Sequence, residues 1–280
     1  MGDYFRPTRL EEALAALADK PRTVLAGGTD FYPARVGRPL ADDVLDITGL
    51  AALKGIGRDA AGWRIGCLAS WSDLIAAALP PAFDGLKAAA REVGGVQIQN
   101  AGTICGNVCN ASPAADGVPN LLVLDAVVEL AALGGERKVP LRDFIVGNRK
   151  TVLRPDELVT ALLIPAPAPS ARSRFLKLGA RRYLVISIVM AAALLEASAD
   201  GRVAVARVAV GACSAVACRL AALEAALVGR PLDGRLGEGV TPEHLAPLRP
   251  IDDIRGTAAY RRDATLTVLR RLLSELGAAA

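Results

Sequence analysis

The segment QNAGTICGN at residues 99–107, which continues into ASPAAD at residues 111–116, decides how we interpret this chain. It concentrates Gly, Thr, Asn, Ser and Asp in a short stretch with few large apolar side chains. Small residues let the backbone approach a ligand closely, and short polar side chains donate and accept hydrogen bonds. The composition therefore predicts a ligand-binding loop rather than a part of the core.

A second segment of the same character, LAGGTD, lies upstream at residues 25–30 and follows an apolar, strand-like run. Two Gly/Thr loops that each adjoin such a run are typical of a site in which backbone N–H groups cradle a phosphate-bearing cofactor. The alternative is that both segments are ordinary glycine-rich turns. We favour the cofactor site because the two segments occur together.

Length and composition restrict the class of protein. A chain of 280 residues exceeds one typical domain, so two domains are expected, and 52% hydrophobic with 22% charged residues indicates a globular protein with a substantial core. No long basic run occurs, which argues against nucleic-acid binding. The N-terminus lacks an apolar targeting region, and the longest apolar run, residues 183–195, is too short for a membrane span. We expect a soluble, cytoplasmic protein with no membrane insertion.

The cysteines and the histidine limit the possible chemistry. Five cysteines are present, and none forms a C-x-x-C pair. An iron–sulfur or zinc site built from two pairs (Cys105 with Cys109, Cys213 with Cys218) is conceivable, but the small neighbours of these residues favour buried thiols. His244 is the sole histidine, so the chain offers no histidine-based acid–base or metal site. We predict no catalytic side chain and no metal ligand.

Hydrophobic periodicity and turn signals indicate mixed α and β structure. Thr8 and Glu11 form a capping-box pattern before an amphipathic helix. GIGRDA at residues 55–60 is interpreted as a hairpin or connecting turn, because a strand rather than a helix follows it. The proline-rich stretch at residues 165–170 is the clearest linker. Strands are predicted at residues 23–26, 44–47, 126–130, 158–164, 175–178, 185–189 and 203–210, and helices at residues 70–79, 83–93, 215–228 and 258–276.

The two glycine segments resemble the flavin loops of one family, the FAD-binding medium subunits of the molybdenum hydroxylases, which include xanthine dehydrogenase and carbon monoxide dehydrogenase. The resemblance rests on the order of the two segments, their separation of about 75 residues and the Ser-Pro-x-x-Asp continuation at residues 112–116. It covers essentially the whole chain, including residues 251–255 and 260–262 near the C-terminus.

The resemblance implies an α+β fold. Residues 1–165 would form a two-subdomain FAD-binding domain of the vanillyl-alcohol-oxidase (PCMH) type, with subdomains at about 1–55 and 56–165. A linker at residues 166–170 would lead to a small α+β C-terminal domain of antiparallel sheet and helices, residues 171–280.

The resemblance also implies a set of FAD contacts. The two loops would clamp the diphosphate, Asp116 would accept from the ribose of the adenosine part, and Val159 would lie beside the adenine or the ring system. Lys177 would lie near the isoalloxazine and favour its anionic reduced form, and Tyr183 would cover a ring face. The cofactor-binding residues expected in this way are Leu25, Ala26, Gly27, Gly28, Thr29, Asp30, Gly102, Thr103, Cys105, Gly106, Asn107, Ser112, Asp116, Val159, Lys177 and Tyr183.

Three of these residues have structural alternatives. Asp116 could serve only as a helix N-cap, Lys177 could be a solvated strand residue, and Tyr183 could belong to the core or an interface. Cys105 departs from the family pattern, which usually has Gly at this position, so it would be strained if its φ angle were positive. A negative φ with a packed thiol is the interpretation we favour.

By the same resemblance, the chain would be the electron-transfer subunit of a heterotrimer. A small 2Fe–2S subunit would deliver electrons to FAD, a large molybdopterin subunit would hydroxylate the substrate, and NAD⁺ or another acceptor would reoxidise the flavin. Molybdopterin and 2Fe–2S clusters are expected only in the partners. The alternatives are a flavin-free scaffold of the same fold, which Cys105 motivates, and a stand-alone flavin oxidase.

Overall fold

The computed structural model describes residues 2–37 and 41–279, and within them the chain forms three larger sheets, one two-stranded sheet and several helices. The first sheet is parallel in the order β1-β3-β2 and consists of β1 (Tyr4–Phe5), β2 (Thr23–Leu25) and β3 (Val44–Asp46). Helix α1 (Leu10–Asp19) connects β1 to β2 and buries Ala13, Leu14 and Leu17. Strand β2 therefore delivers the first glycine segment at its carboxyl end.

The second sheet is antiparallel, in the order β4-β5-β10-β6-β7. Its strands are β4 (Ile56–Arg58), β5 (Gly62–Gly66), β6 (Val127–Ala132), β7 (Gly135–Pro140) and β10 (Leu158–Pro165). Strands β4 and β5 pair as a hairpin, so residues 56–58, which were expected to belong to a turn, form a strand instead. A two-stranded hairpin, β8 (Ile145–Gly147) with β9 (Lys150–Thr151), follows the short helix α7 (Leu141–Phe144).

Five helices fill the interval between β5 and β6. They are α2 (Trp71–Ala76), α3 (Asp84–Glu92), α4 (Val96–Ala101), α5 (Ile104–Asn110) and α6 (Gly117–Val123). Ser70 begins α2 as its N-cap, accepting the N–H of Asp73 at 3.1 Å while its own N–H donates to the Asp73 carboxylate at 2.8 Å. Helix α6 is buried along its whole length, because it packs against the helices α3 and α5 and against C-terminal strands of the chain.

The third sheet is antiparallel, in the order β11-β12-β13-β14, and buries both of its faces. Its strands are β11 (Arg172–Leu178), β12 (Val189–Ala197), β13 (Val203–Gly211) and β14 (Cys218–Arg219). Along β12, Met190 and Ala192 join the core of the first part of the chain, whereas Ala191 and Leu195 pack with α8 (Ala221–Leu227) and α9 (Ala258–Ala278). Successive side chains of a strand point to opposite faces, so the apolar run of β12 serves two cores at once.

The α+β fold is confirmed, and several local predictions are wrong. Residues 96–110 form two short helices instead of a continuous loop, because Thr103 caps α5. The strand predicted at residues 185–189 begins only at Val189, since the preceding residues form irregular bends. The helix predicted from residue 215 begins at Ala221, because Cys218–Arg219 pair with β13.

Two errors concern the N-terminal region. The capping carboxylate of α1 is Glu12, which accepts the N–H groups of Thr8 and Arg9 at 3.3 and 3.4 Å, and Glu11 makes no such bond. The short strand Tyr4–Phe5 carries no sequence signal of its own and is held by pairing with β3. None of the helices in the described part of the chain combines the length and the apolar composition that a bilayer crossing requires.

Candidate functional site: a cleft between two glycine segments

The two glycine segments meet in space. A Cβ atom built on Gly27 would lie 1.9 Å from the carbonyl oxygen of Ala101 and 2.9 Å from the Cα of Gly102. The backbone of the first segment therefore packs directly on the peptide that joins the helices α4 and α5. Only glycine permits such an approach. The convergence that the cofactor interpretation requires is present in the structure.

Side chains reinforce this junction. A Cβ on Gly102 would lie 3.3 Å from Thr29 Oγ1 and 3.4 Å from the Trp71 side chain. The backbone N–H of Trp71 also donates to the Gly102 carbonyl, at 3.2 Å. Gly28 has φ +72°, a conformation that L side chains rarely adopt. The first segment therefore turns at Gly28 and presents its backbone to the space beside α5.

This space is lined by backbone N–H groups that have no protein acceptor. Thr103 Oγ1 accepts the Gly106 N–H at 3.0 Å, and the Thr103 carbonyl accepts the Asn107 N–H at 3.1 Å. Among the described residues, the backbone N–H groups of Gly28, Thr29 and Cys105 donate no hydrogen bond to a protein acceptor. Free N–H groups from two converging backbones form an anion-binding concavity.

The cleft between the segments has a volume of about 530 Å³, a size typical of cofactor and ligand sites. Asn107 lines the cleft, and its oxygen Oδ1 is buried beside Gly117 without a hydrogen-bond partner in the described part of the chain. The cleft contains most of the expected cofactor contacts: Leu25, Ala26, Gly27, Gly28, Thr29, Asp30, Gly102, Thr103, Cys105, Gly106, Asn107 and Val159.

Cys105 lies in the first turn of α5 without strain. It is absent from the described non-glycine residues that have positive φ, and it is 2% exposed. Its thiol lies with those of Cys67 and Cys109 along the same wall of the cleft. Burial raises the pKa of Cys67 and of Cys109 to about 12 and raises the pKa of Cys105 well above its ordinary value. The three thiols are therefore protonated at neutral pH and behave as packing groups.

No metal site accompanies these thiols. Across residues 2–37 and 41–279, no group of three or more His, Cys, Asp or Glu side chains could hold a metal ion. The cysteines of that region are free, and Cys213 lies in the C-terminal core, where it contacts Thr265 Oγ1 at 3.3 Å.

A buried ion pair lies apart from the cleft lining. Lys177 Nζ donates to Asp116 Oδ2 at 2.7 Å, and Ser187 Oγ donates to Asp116 Oδ1 at 2.6 Å. The Lys177 side chain is 3% exposed and the Asp116 side chain 9%. Burial raises the pKa of the Asp116 carboxyl, and the Lys177 charge opposes that rise. We call these three side chains the Asp116 cluster.

The cluster corrects the expectations for these residues. Asp116 and Lys177 touch each other, so they cannot lie at opposite ends of one extended cofactor as the adenosine and isoalloxazine assignments require. Asp116 occupies the N-cap position of α6, but its side chain makes no capping bond. Lys177 is buried, so the solvated alternative is also wrong. The role of Asp116 that the structure shows is to hold Lys177 and Ser187.

Two other expected contacts lie outside the cleft. Ser112 Oγ accepts the N–H of Ala114 at 3.2 Å in a local turn. Tyr183 is 53% exposed, which excludes a place in the core, and the Arg182 guanidinium lies 5.2 Å from the centre of its ring. Neither residue lines the space between the glycine segments.

Sequence reasoning missed several residues that line the cleft. The sequence indicated the helical position of Trp71 but not its place in the cleft, because the capping box of α2 marks the start of that helix. Other missed residues come from distant segments, and no local sequence pattern indicates that they line the cleft. They include Arg35, Ile47, Asn110, Arg149, Leu153 and Glu157.

The fold and the cleft together define an α+β protein with a cofactor-sized cleft whose free backbone amides can bind an anionic group. Comparison with known proteins agrees. Residues 1–167 match the family described as "FAD binding domain in molybdopterin dehydrogenase", and residues 174–276 match the "CO dehydrogenase flavoprotein C-terminal domain".

Individual relatives extend this agreement. The chain is 36% identical over 197 residues to the nicotinate dehydrogenase FAD-subunit of Eubacterium barkeri, a match that spans 67% of this chain and 66% of that one. It is 34% identical to a putative xanthine dehydrogenase FAD-binding subunit of Escherichia coli, over 68% of this chain and 67% of the other. A chain of the reconstituted CO dehydrogenase from Oligotropha carboxidovorans superimposes with a TM-score of 0.91 at 27% identity, covering 100% of this chain and 99% of that one.

The chain belongs to the family of FAD-binding subunits of molybdopterin dehydrogenases. It is a flavoprotein component of an oxidoreductase, and FAD is its cofactor. The residues of the cleft fit that cofactor, because Gly28, Thr29 and Cys105 line it with backbone N–H groups that donate to no protein acceptor in the described part of the chain.

Proposed function

We propose that this chain is the electron-transfer subunit of a molybdenum hydroxylase, which takes electrons from a 2Fe–2S partner and passes them through FAD to NAD⁺ or another acceptor. The observation that carries the proposal is the convergence of two distant glycine segments on one cleft with free amides. When bound, FAD supplies two-electron redox chemistry that no side chain of the cleft provides. The chain contributes binding, orientation and electrostatics.

The order of sheets and helices along the chain supports a division into domains. We propose a FAD-binding domain at residues 1–165 with subdomains at about 1–55 and 56–165, a linker at 166–170 and a C-terminal domain at 171–280. The parallel sheet lies within the first subdomain and the five-stranded sheet within the second. We further propose a heterotrimer in the cytoplasm with a large molybdopterin subunit and a small 2Fe–2S subunit, since several relatives are named as subunits of larger dehydrogenases.

Specific residues receive roles under this proposal. The free N–H groups of Gly28, Thr29 and Cys105 would bind the diphosphate, with Thr103 and Asn107 beside them. Lys177 does not line the cleft, so it would act on the flavin only through the field of its charge, which favours a negative ring. Asp116 would then be a positioning residue, because it fixes the ammonium group of Lys177 at 2.7 Å.

The decisive experiment is to purify the affinity-tagged chain from cells that also produce its proposed partner subunits. We expect FAD, iron and molybdenum in the recovered complex, and loss of visible flavin absorbance when the substrate of the complex is added. Reoxidation of that flavin is then followed with NAD⁺ and with an artificial dye to identify the acceptor class.

Two results would contradict the proposal. Flavin reduction by a small substrate in a preparation without iron and molybdenum would indicate a stand-alone oxidase. A colourless chain that binds no added FAD would indicate a scaffold.

A further inference from the structure

A tight turn before α9 displays an isoleucine to solvent. Ile254 is 95% exposed, and the flanking residues Asp253 and Gly256 exchange two backbone hydrogen bonds of 3.2 Å that close the turn. A single exposed aliphatic side chain is ordinary on a protein surface, whereas a cluster of them marks an interaction site. The rigidity of this turn and the apolar groups beside it therefore decide what it does.

The turn is held in place by buried polar contacts. Asp253 Oδ1 accepts the backbone N–H of Arg255 at 2.8 Å and the guanidinium of Arg261 at 2.7 Å. Arg261 is buried, and it also donates to the carbonyl of Ile188 at 2.5 Å. The backbone that carries Ile254 is thus tied to the start of β12, and its side chain points away from the core on a fixed support.

The loop that joins β11 to β12, residues 179–188, adjoins this turn. A Cβ built on Gly256 would lie 3.0 Å from the Tyr260 ring and 3.9 Å from Cγ2 of Ile188. Ile186 is exposed and lies two residues before Ile188, which is about 7 Å along an extended chain. The exposed side chains of Ile186, Ile254 and Tyr260 therefore come from neighbouring segments.

The same loop reaches the cofactor cleft at its other end. Cδ2 of the exposed Leu184 lies 3.7 Å from a Cβ built on Gly95, which precedes α4. A Cβ on Gly94 would lie 2.6 Å from Cβ of Ile98, a residue that lines the cleft and is partly open to solvent. Exposed apolar residues thus run from the cleft to the turn, and we call them the apolar ridge: Val96, Ile98, Leu184, Ile186, Ile254 and Tyr260.

The charges beside the ridge are mainly positive. Arg181 and Arg182 are exposed on the loop, and across residues 2–37 and 41–279 no carboxylate lies within 4.0 Å of either guanidinium. The acids of the turn are engaged internally, because Asp253 binds Arg261 and Asp252 accepts an N–H at the start of α9 at 2.5 Å. A protein that covers the ridge should therefore present an apolar face with an acidic rim.

We propose that the apolar ridge is the docking surface for the 2Fe–2S partner subunit. The inference rests on the proposed function, which requires an electron donor close to the flavin. The ridge begins at Ile98, which belongs to the cofactor cleft, so a protein seated on the ridge also covers an edge of that cleft. Apolar contact at Ile254 supplies binding energy, and the arginines of the loop select an acidic partner.

The test uses the full, affinity-tagged chain produced together with both partner subunits, with iron and FAD measured per recovered chain. I254D places a carboxylate at the exposed tip of the turn, and we expect iron to fall at least about tenfold, the effect of losing a central interface contact. Ile254 does not line the cleft, so the FAD content and the melting temperature of the variant chain should stay at wild-type values. L133D is the matched control, since Leu133 is an exposed leucine in the turn between β6 and β7, and it should retain its iron.

A second pair of variants tests the charge separately. R182E reverses an exposed charge and should lower the iron content, whereas R182K keeps the charge and should retain it. A loss of iron smaller than about tenfold in I254D, an equal loss in L133D, or wild-type iron in R182E would overturn the assignment of the ridge. A wild-type chain recovered without iron would instead contradict the proposed function.

Discussion

The cleft and the Asp116 cluster are two polar regions built on opposite principles. Where the two glycine segments meet, the cleft is lined by small residues and backbone amides, and the amides of Gly28, Thr29 and Cys105 have no protein acceptor in the described part of the chain. The cluster consists of a buried carboxylate, an ammonium group and a hydroxyl that satisfy one another. The first region is open to a ligand because its donors are free, whereas the second is rigid because its charges are paired.

The difference shows which polar groups this chain pairs internally and which it leaves free for a ligand. Unpaired amides carry only partial charges, so the cleft tolerates their exposure until a cofactor binds. Burial of a full charge without a partner costs much more free energy than leaving an amide unpaired. This difference explains why the buried side chains of Lys177 and Asp116 are paired with each other. The following predictions test the two regions separately, from the largest effect to the smallest.

Replacement of Gly27 by Ala should have the largest effect. The added Cβ would lie 1.9 Å from the Ala101 carbonyl, so the two segments must separate. We expect FAD affinity to fall at least about 100-fold, because the amide cradle requires both backbones. Calorimetric titration measures the loss. G134A is the matched control, since a Cβ at Gly134 meets nothing within 4 Å, and near-normal FAD binding by G27A would contradict the geometry of the cleft.

Replacement of Lys177 by Met should destabilise the folded chain by about 3–5 kcal/mol, the usual cost of leaving one charge of a buried pair without its partner. Urea unfolding followed by circular dichroism measures the change in the free energy of unfolding. The exposed Lys138 offers a control, since K138M removes the same charge from the surface. A loss below about 1 kcal/mol for K177M would show that the Asp116 cluster is not a paired buried site.

The loss of unfolding free energy in K177M, which we call its deficit, should depend on pH. Burial already raises the pKa of Asp116, and removal of Lys177 removes the main opposing influence. The folded variant then binds a proton that the unfolded chain releases, so its free energy of unfolding falls as pH rises, by at most about 1.4 kcal/mol per pH unit. Urea unfolding at pH 5 and pH 8 should show the smaller deficit at pH 5. A deficit that is equal at both values would exclude titration of Asp116.

Replacement of Thr103 by Ala should have the smallest effect, a loss of about 1 kcal/mol in the free energy of unfolding. Thr103 Oγ1 accepts the Gly106 N–H at 3.0 Å, and this bond caps α5. T103S keeps the hydroxyl and should retain most of the stability. If T103S is as unstable as T103A, the threonine acts through its methyl group rather than through capping.

The local chemistry of the cleft could be predicted from the sequence to a large extent. Residues 25–30 and 102–107 combine small and hydroxyl side chains, and this composition reflects a backbone that must be approached closely. Their family resemblance is confirmed by the family comparison. The helical state of residues 104–110 was missed, because Gly, Thr and Asn have weak helix propensity and the capping bond of Thr103 outweighs it.

The pairing of distant residues could not be predicted in the same way. Lys177 and Asp116 are 61 residues apart, and no pattern in either neighbourhood indicates that they meet. Arg149 likewise reaches the cleft through a hairpin whose own sequence contains no ligand motif. The strand expected at residues 185–189 failed for a related reason, since Ser187 is held by Asp116 rather than by a neighbouring strand.

The sequence by itself determined the glycine segments and the mixed α and β character, because short-range sterics and apolar periodicity act within a few residues. Only the tertiary structure decided that β12 serves two cores, that the Asp116 cluster forms and that Arg149 borders the cofactor cleft. These features depend on which surfaces are buried together. Burial is a property of the whole packed chain, so the free energy that selects each partner exists only once distant segments have been brought into contact.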